Sequence, residues 1–197
     1  MSEQDIPLFP LSTVLYPAGP LPLRLFETRY TDMVSRCMRE SSPFAVVAIR
    51  EGREVGPSLI YEMGTLATIT DFYQGSDGLL GITAVGQQRF DLISERTQAD
   101  GLRLGTVQLR QDVAATPLPA RFANLAQTLD HVLDDLGKLY EGLPRLLDDA
   151  DWVSHRFCEI LPMTLAQKQR CLEIEDAEER LELVKTVLSR VPDQRSD

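Results

Sequence analysis

The sequence has 197 residues, 43% hydrophobic and 25% charged, a balance typical of one folded domain or two small lobes and unlike a disordered chain. Its net charge of −10 comes from both halves, with ten basic and fourteen acidic residues before position 115 and ten and sixteen after it. This excess of acids argues against nucleic-acid binding, which draws affinity from cationic contacts to phosphate. No apolar run reaches the ~20 residues of a membrane span, and the acidic start lacks the basic region of a secretory signal, so we expect a cytoplasmic protein without a membrane partner.

The first 115 residues predict a small, mostly antiparallel β-barrel with one helix. Strands are expected over residues 6–11, 44–49, 64–73, 79–85 and 102–109, with a hairpin at 74–78. Pro20 and Pro22 favour a sheet edge or barrel rim, because proline cannot donate to a ladder. Gly86 and Gly105, where the apolar alternation breaks, predict the bulges that let a sheet close. A helix is predicted where apolar residues recur at helical spacing, at Tyr30, Met33, Val34, Cys37 and Met38.

The remaining chain predicts a helical lobe over residues 116–192. A proline-containing segment joins the two parts, and the apolar residues that follow it recur with helical period. Thr164 with Gln167 three residues later has the spacing of a capping box, and Asp176 with Glu179 has a similar one. Residues 193–197 are expected to form a frayed tail. The predicted fold class is therefore α+β, a barrel subdomain at 1–115 followed by an α-helical subdomain.

Motifs for known catalytic chemistry are missing from the sequence. The Gly137-Lys138 pair is followed by Leu139 and lacks the rest of a phosphate-binding loop. No Gly-x-Ser-x-Gly elbow is present, and neither histidine belongs to a His-Glu-x-x-His motif. The acidic run at 148–151 is explained by helix capping. We therefore expect a non-enzyme that needs no metal and no cofactor.

Two polar clusters have competing interpretations. His155, Cys158 and Cys171 could form a zinc or thiol site, or two buried cysteines beside an ordinary histidine. The structural interpretation is favoured, because zinc normally takes four ligands and free cysteine is among the most buried residue types. His131 with the neighbouring aspartates predicts a solvated helix face rather than a metal cluster.

Three stretches resemble the amino-terminal substrate-recognition domain of the Lon protease family. They read IPLFPLSTVLYPAGPLPLRLFETRYTDMV at 6–34, MGTLATITDFYQGSDGLLGITAVGQQRFDLI at 63–93 and ILPMTLAQKQRCLEIEDAEERLELVKTVL at 160–188. The similarity is greatest to short bacterial proteins that consist of this domain without ATPase and peptidase parts. Thr28 stands where the family usually has proline, which should alter only the first turn of the helix. The resemblance implies a PUA-like barrel, a helical lobe, and a role in binding polypeptides and supporting assembly, compatible with an oligomer.

Two surfaces are candidate binding sites under this resemblance. In the first, Tyr16, Phe26 and Tyr30 would offer apolar contacts, and Arg24 and Arg29 would offer hydrogen-bond donors. The alternative for this segment is structural: Phe26 and Tyr30 would fasten the helix to the barrel, and Glu27 would pair with Arg29. The second surface is the hairpin around Phe72, Tyr73 and Asp77.

Three functions follow from these observations. The leading hypothesis is a non-catalytic module that binds unfolded or extended polypeptide, or another protein, as a proteostasis accessory, by strand addition or in a groove between barrel and helix. The second is a PUA-like RNA-binding protein, and the third is an enzyme with an unrecognised site. RNA binding would use a local stripe of arginines, namely Arg24, Arg29, Arg36, Arg39, Arg50 and Arg53.

Overall fold

The structure is a computed structural model that describes residues 4–75, 78–111 and 115–190. The chain divides into two compact units, residues 1–112 and 113–197, close to the boundary after residue 115 that the sequence predicts. The joint at 112–114, the tail at 193–197 and Asp77 of the predicted hairpin lie outside the described residues.

The described residues of the first unit form six strands and one helix. They are β1 (Gln4–Leu11), β2 (Pro20–Leu25), α1 (Thr28–Glu40), β3 (Phe44–Gly52), β4 (Ser58–Gln74), β5 (Leu80–Thr97) and β6 (Arg103–Leu109).

The strands form a closed barrel with one strand attached outside it. Their order is β2-β5-β4-β3-β1-β6, and β5 also pairs with β6, which closes the ring of five. The β1–β3 pair is parallel and the other pairs are antiparallel. The predicted α+β class, with a mostly antiparallel barrel and one packed helix, is confirmed. The position of β2 at the end of the order agrees with the prolines at 20 and 22, which cannot donate to a second neighbour.

One long strand makes this closure possible. β5 has 18 residues and continues past Gly86, where the sequence predicted a bulge. Its first half pairs with β2 and its second half with β6. The register with β4 shifts between Thr65 and Ala67, opposite the stretch that follows Gly86. A β-carbon on Gly86 would lie 2.1 Å from the carbonyl oxygen of Tyr16, so this position requires glycine because the two backbones approach closely.

The bulge predicted at Gly105 is wrong. Register runs through Gly105 without a shift, and the irregularity lies in β5 between Leu92 and Ser94. A β-carbon on Gly105 would lie 2.6 Å from Leu92 Cδ1 and 2.8 Å from Leu8 Cδ2. Gly105 therefore interrupts the apolar alternation because leucines from neighbouring strands fill its place.

The unit has two apolar layers. The barrel interior holds side chains of alternating strand positions: Ile6, Leu8, Ala45, Val47, Leu66, Phe90 and Val107. The opposite face of the same strands packs against Tyr30, Met33, Val34 and Cys37 of α1. Burial of one such side chain stabilises the fold by about 1.5–3 kcal/mol. Met38, predicted on the same face, is instead 40% exposed.

The second unit is helical, as predicted. Its helices are α2 (Ala123–Leu136), α3 (Ala150–Ile160), α4 (Leu165–Glu173) and α5 (Ala177–Leu188). α3 contacts each of the other three. The capping box of Thr164 and Gln167 is confirmed. Asp176 caps α5 by accepting from the backbone N–H of Glu178.

Candidate functional site

A groove of about 250 Å³ lies beside the edge strand β2. Its walls come from residues 9–11 of β1, residues 21–25 of β2, the connection into α1, and Glu54 in the loop between β3 and β4. Along β2, buried residues alternate with more exposed ones, because successive side chains of a strand point to opposite faces. The buried side chains of this wall are those of Leu21, Leu23 and Leu25. The groove therefore has apolar walls along an extended backbone.

Two strand edges border this groove. β1 pairs with β6 only as far as the Leu8↔Arg103 pair, so residues 9–11 extend past that partner. β2 pairs with β5 and, in the described part of the chain, with no other strand. An unpaired edge exposes backbone groups to which another chain can bond.

Tyr30 forms part of the groove floor. Its ring stacks on Phe9 with ring centroids 4.0 Å apart and an interplanar angle of 13°. The ring centroid of Phe9 also lies 6.1 Å from that of Phe44. Tyr30 is buried, and burial raises the pKa of its phenol. Tyr30 thus fastens α1 to the barrel, which was the structural alternative for this residue.

Phe26 and Arg24 form the rim of the groove. Phe26 is 63% exposed, so the structural alternative, in which it fastens the helix, does not hold for this residue. Its position between Leu25 of the edge strand and the N-cap residue Glu27 leaves the ring at the surface. Arg24 is exposed and alternates with Leu23 and Leu25, so its side chain leaves the opposite face of β2.

Arg29 is held by contacts within the protein. Its guanidinium lies 2.7 Å from the Glu27 carboxylate and donates to the carbonyl of Gly101 at 2.7 Å. The local pairing of Glu27 with Arg29 is confirmed. These contacts hold the start of α1 to the turn before β6, so Nη1 and Nη2 of Arg29 are engaged within the protein. Thr28 begins the helix.

Tyr16 does not lie on the candidate surface. It is fully buried, and its carbonyl accepts from the backbone N–H of Gly19. The neighbouring Leu15 carbonyl accepts from the hydroxyl of Thr65 at 2.7 Å. Segment 15–19 therefore lies against β4 and β5, and no pattern within 11–19 separates such a buried aromatic from an exposed one.

The hairpin aromatics lie apart from the groove lining. Phe72 is 59% exposed and Tyr73 is 45% exposed, and they point to opposite faces of β4. Tyr73 covers Gly81, where a β-carbon would lie 2.4 Å from its ring. Gly81 also pairs with Arg24, so Tyr73 and Arg24 share one sheet face.

Glu54 is a charged lining residue that the sequence did not indicate. Its carboxylate accepts from the backbone N–H of Ser12 at 2.7 Å, a contact that spans 42 residues. The exposed loop that carries Glu54 has no motif, so only the folded barrel places this residue beside β1.

The predicted arginine stripe is partly neutralised. Arg29 pairs with Glu27, and Arg50 lies 3.8 Å from Glu51. This pairing lowers the positive charge that the stripe could offer to phosphate.

The histidine and cysteine candidates of the second unit are buried. His155, Cys158 and Cys171 are each at most 4% exposed, and the cysteines are free thiols. A hydrogen bond between the two thiols, together with burial, raises the pKa of Cys158, and the same bond lowers the pKa of Cys171. Within residues 4–75, 78–111 and 115–190, no group of three or more possible ligands is arranged to hold a metal ion. His131 is exposed and contacts the carbonyl of Gln127.

Two fully buried arginines organise the same unit. Arg180 donates to Ser154 Oγ at 2.8 Å and to the Ile174 carbonyl at 2.6 Å, and it pairs with Asp151. Arg156 pairs with Glu159 at 2.9 Å. Burial raises the pKa of Glu159 to about 7. These pairs were not predicted, because arginine is rarely buried and its partners lie on other turns or helices.

No helix in the described part of the chain is long and apolar enough to cross a membrane.

A family model matches nearly the whole chain, and solved structures with a similar fold support the match. Residues 5–190 match the family described as the ATP-dependent protease La (LON) substrate-binding domain. A crystal structure of a Lon N-terminal domain protein from Xanthomonas campestris is 33% identical with a TM-score of 0.77, covering 96% of this chain and 99% of that one. The N-terminal domain of a Mycobacterium avium complex Lon protease has a TM-score of 0.68 at 18% identity, over 96% of this chain and 100% of that one, and supports the fold alone.

Two longer proteins are similar to this chain over part of their length. Protein cereblon of Danio rerio is 36% identical over 112 residues, which are 55% of this chain and 26% of cereblon. Lon protease of Vibrio parahaemolyticus is 25% identical over 190 residues, which are 91% of this chain and 24% of the protease. The chain thus spans about a quarter of the length of these relatives. The match over residues 5–190, together with the Xanthomonas structure, establishes that this chain belongs to the Lon substrate-binding domain family.

Proposed function

We propose that this chain is a non-catalytic polypeptide-binding module and that the groove beside β2 is its binding site. The observation that carries the proposal is an apolar groove bordered by two strand edges in a member of a substrate-binding domain family. Extended polypeptide suits such a groove, because alternate side chains can enter it while the backbone follows the strands.

The energetics of the rim support the same site. Phe26 leaves most of its ring in water, whereas burial of a phenylalanine side chain is worth about 1.5–3 kcal/mol. A bound segment that covered Phe26 would recover part of that free energy. A cluster of apolar anchors of this kind typically dominates a binding interface.

The proposal extends to a proteostasis accessory in the cytoplasm. The Lon protease of Vibrio parahaemolyticus matches this chain over 24% of its own length, and the matching family model is the substrate-binding domain. The three cysteines are free thiols, which suits a reducing compartment.

Two exposed phenylalanines provide a matched test. We would titrate the full chain with a permanently unfolded, reduced and alkylated protein and measure the dissociation constant by calorimetry. Phe26→Ser should weaken binding about five- to tenfold, as expected for an interface anchor. Phe72→Ser, which removes an equally exposed ring from outside the groove, should change binding less than twofold.

The outcomes separate the site from the function. If Phe72→Ser weakens binding and Phe26→Ser does not, the site belongs at the hairpin. If no unfolded protein gives saturable binding to the wild-type chain, the polypeptide-binding function is refuted.

A further inference from the structure

The β2 edge of the groove is poor in hydrogen-bond donors. The backbone N–H of Gly86 donates to the Gly19 carbonyl at 2.9 Å, and the pairing of β2 with β5 continues from there without a shift. Because alternate residues of an antiparallel strand turn their backbone groups to opposite edges, Pro20 and Pro22 face away from β5. Proline has a carbonyl but no N–H. At Pro20 and Pro22 this edge therefore exposes carbonyl acceptors but no N–H, so it cannot donate to the carbonyl groups of an added strand.

The β1 edge has the same character. Pro10 lies in the segment that extends past β6 and also lacks an N–H. The N–H of Ser12, which follows this segment, is donated to the Glu54 carboxylate. Two backbone donors beside the groove are therefore unavailable to a partner, which favours a partner that brings its own donors.

The groove also contains a carboxylate that can attract a cation. Glu54 lines it and forms no salt bridge with any arginine or lysine among the residues described by the structure. Glu27 lines it too, with its charge offset by Arg29. Arg24 is the basic lining residue, and its side chain leaves the face of β2 opposite to the buried leucines. The carboxylate of Glu54 thus remains available to a cation.

We propose that the groove selects extended polypeptide segments in which bulky apolar residues are flanked by lysine or arginine. This inference rests on the proposed function and names its substrate class. The apolar side chains contact the leucine wall and Phe26, and an ammonium or guanidinium group pairs with Glu54. Acidic segments are disfavoured, because Glu54 and the net charge of −10 repel them.

Three labelled peptides test this selectivity. They share a central Phe-Leu-Phe segment and differ only in flanking residues, which are lysine, serine or glutamate. Fluorescence anisotropy with the full chain should give the order lysine, serine, glutamate from tightest to weakest. We expect about two- to fivefold between neighbours, the range for exposed charge pairs, and a smaller spread at high salt.

Two charge-matched variants locate the effect. Glu54→Gln removes the charge but keeps an oxygen that can accept from Ser12, so it should weaken the lysine peptide about two- to fivefold and leave the serine peptide unchanged. Glu62→Gln makes the same charge change at an exposed position outside the groove lining and should leave all three peptides unchanged.

The inference and the proposed function fail differently. Equal affinity for the three peptides, tighter binding of the glutamate peptide, or equal effects of the two variants would overturn the selectivity and leave polypeptide binding standing. Binding of none of the peptides would overturn both.

Discussion

Removal of the Asp151 carboxylate should destabilise the second unit severely. Arg180 is fully buried, and its guanidinium is held by Asp151, by Ser154 at 2.8 Å and by the Ile174 carbonyl at 2.6 Å. Asp151→Ala leaves that cation buried without a counter-charge, which costs about 3–5 kcal/mol. This is a large fraction of the 5–15 kcal/mol by which a typical domain is stable.

The chain carries its own probe for this measurement. Trp152 is the single tryptophan, it is buried in α3, and it follows Asp151 directly. Urea unfolding followed by its fluorescence therefore reports the unit in which the substitution lies. We expect Asp151→Ala to lower the midpoint strongly without a change in the denaturant slope.

Control variants distinguish the cost of leaving a buried charge unpaired from the cost of losing one contact. Arg180→Met removes the buried cation. The Asp151 side chain that remains is 22% exposed and so keeps partial contact with water. Arg180→Met should therefore lower the free energy of unfolding less than Asp151→Ala does. The double variant should be more stable than Asp151→Ala alone. Glu178→Ala breaks the exposed pair with Arg121 and should cost at most about 1 kcal/mol. A cost below 1 kcal/mol for Asp151→Ala, or a double variant no more stable than it, would refute the reasoning.

Two further predictions concern Gly86 and Glu159. Gly86→Ala should destabilise the first unit by about 1–3 kcal/mol, because the new β-carbon would lie 2.1 Å from the carbonyl oxygen of Tyr16. Denaturant unfolding followed by circular dichroism should show a lower midpoint. An unchanged midpoint would contradict the close approach of the two backbones. The pKa of Glu159 is about 7, above its ordinary 4.5, so the folded state binds the proton more tightly than the unfolded state does. The contribution of Glu159 to stability therefore falls as pH rises from about 4.5 to 7 and is constant at higher pH. Trp152-monitored unfolding at pH 5 and 8 should therefore show a smaller pH dependence in Glu159→Gln than in the wild type, and an equal dependence in both would assign the titration to another group.

Much of the local structure was predictable from the sequence, because it depends on neighbouring residues. The helical spacing of Tyr30, Met33, Val34 and Cys37 predicted the buried face of α1. The missing N–H groups at positions 20 and 22 predicted an edge strand, and Thr164 with Gln167 predicted a capping box.

The candidate site was predictable only in part. Arg24, Phe26 and Tyr30 do line one groove, but the sequence could not separate the exposed Phe26 from the buried Tyr30. Tyr16 was misassigned for a related reason. Whether an aromatic ring is covered depends on strands that are distant in sequence, here the close approach of β5 at Gly86.

By itself, the sequence determined the element types, the two-part organisation, the family resemblance and the absence of known catalytic motifs. The tertiary structure alone decided that β5 pairs with two different strands, that Glu54 reaches Ser12 across 42 residues, and that Arg180 is buried with Asp151. The physical reason is range. Backbone propensity and periodicity act over a few residues, whereas register, barrel closure and charge burial are fixed by contacts between segments that no local pattern brings together.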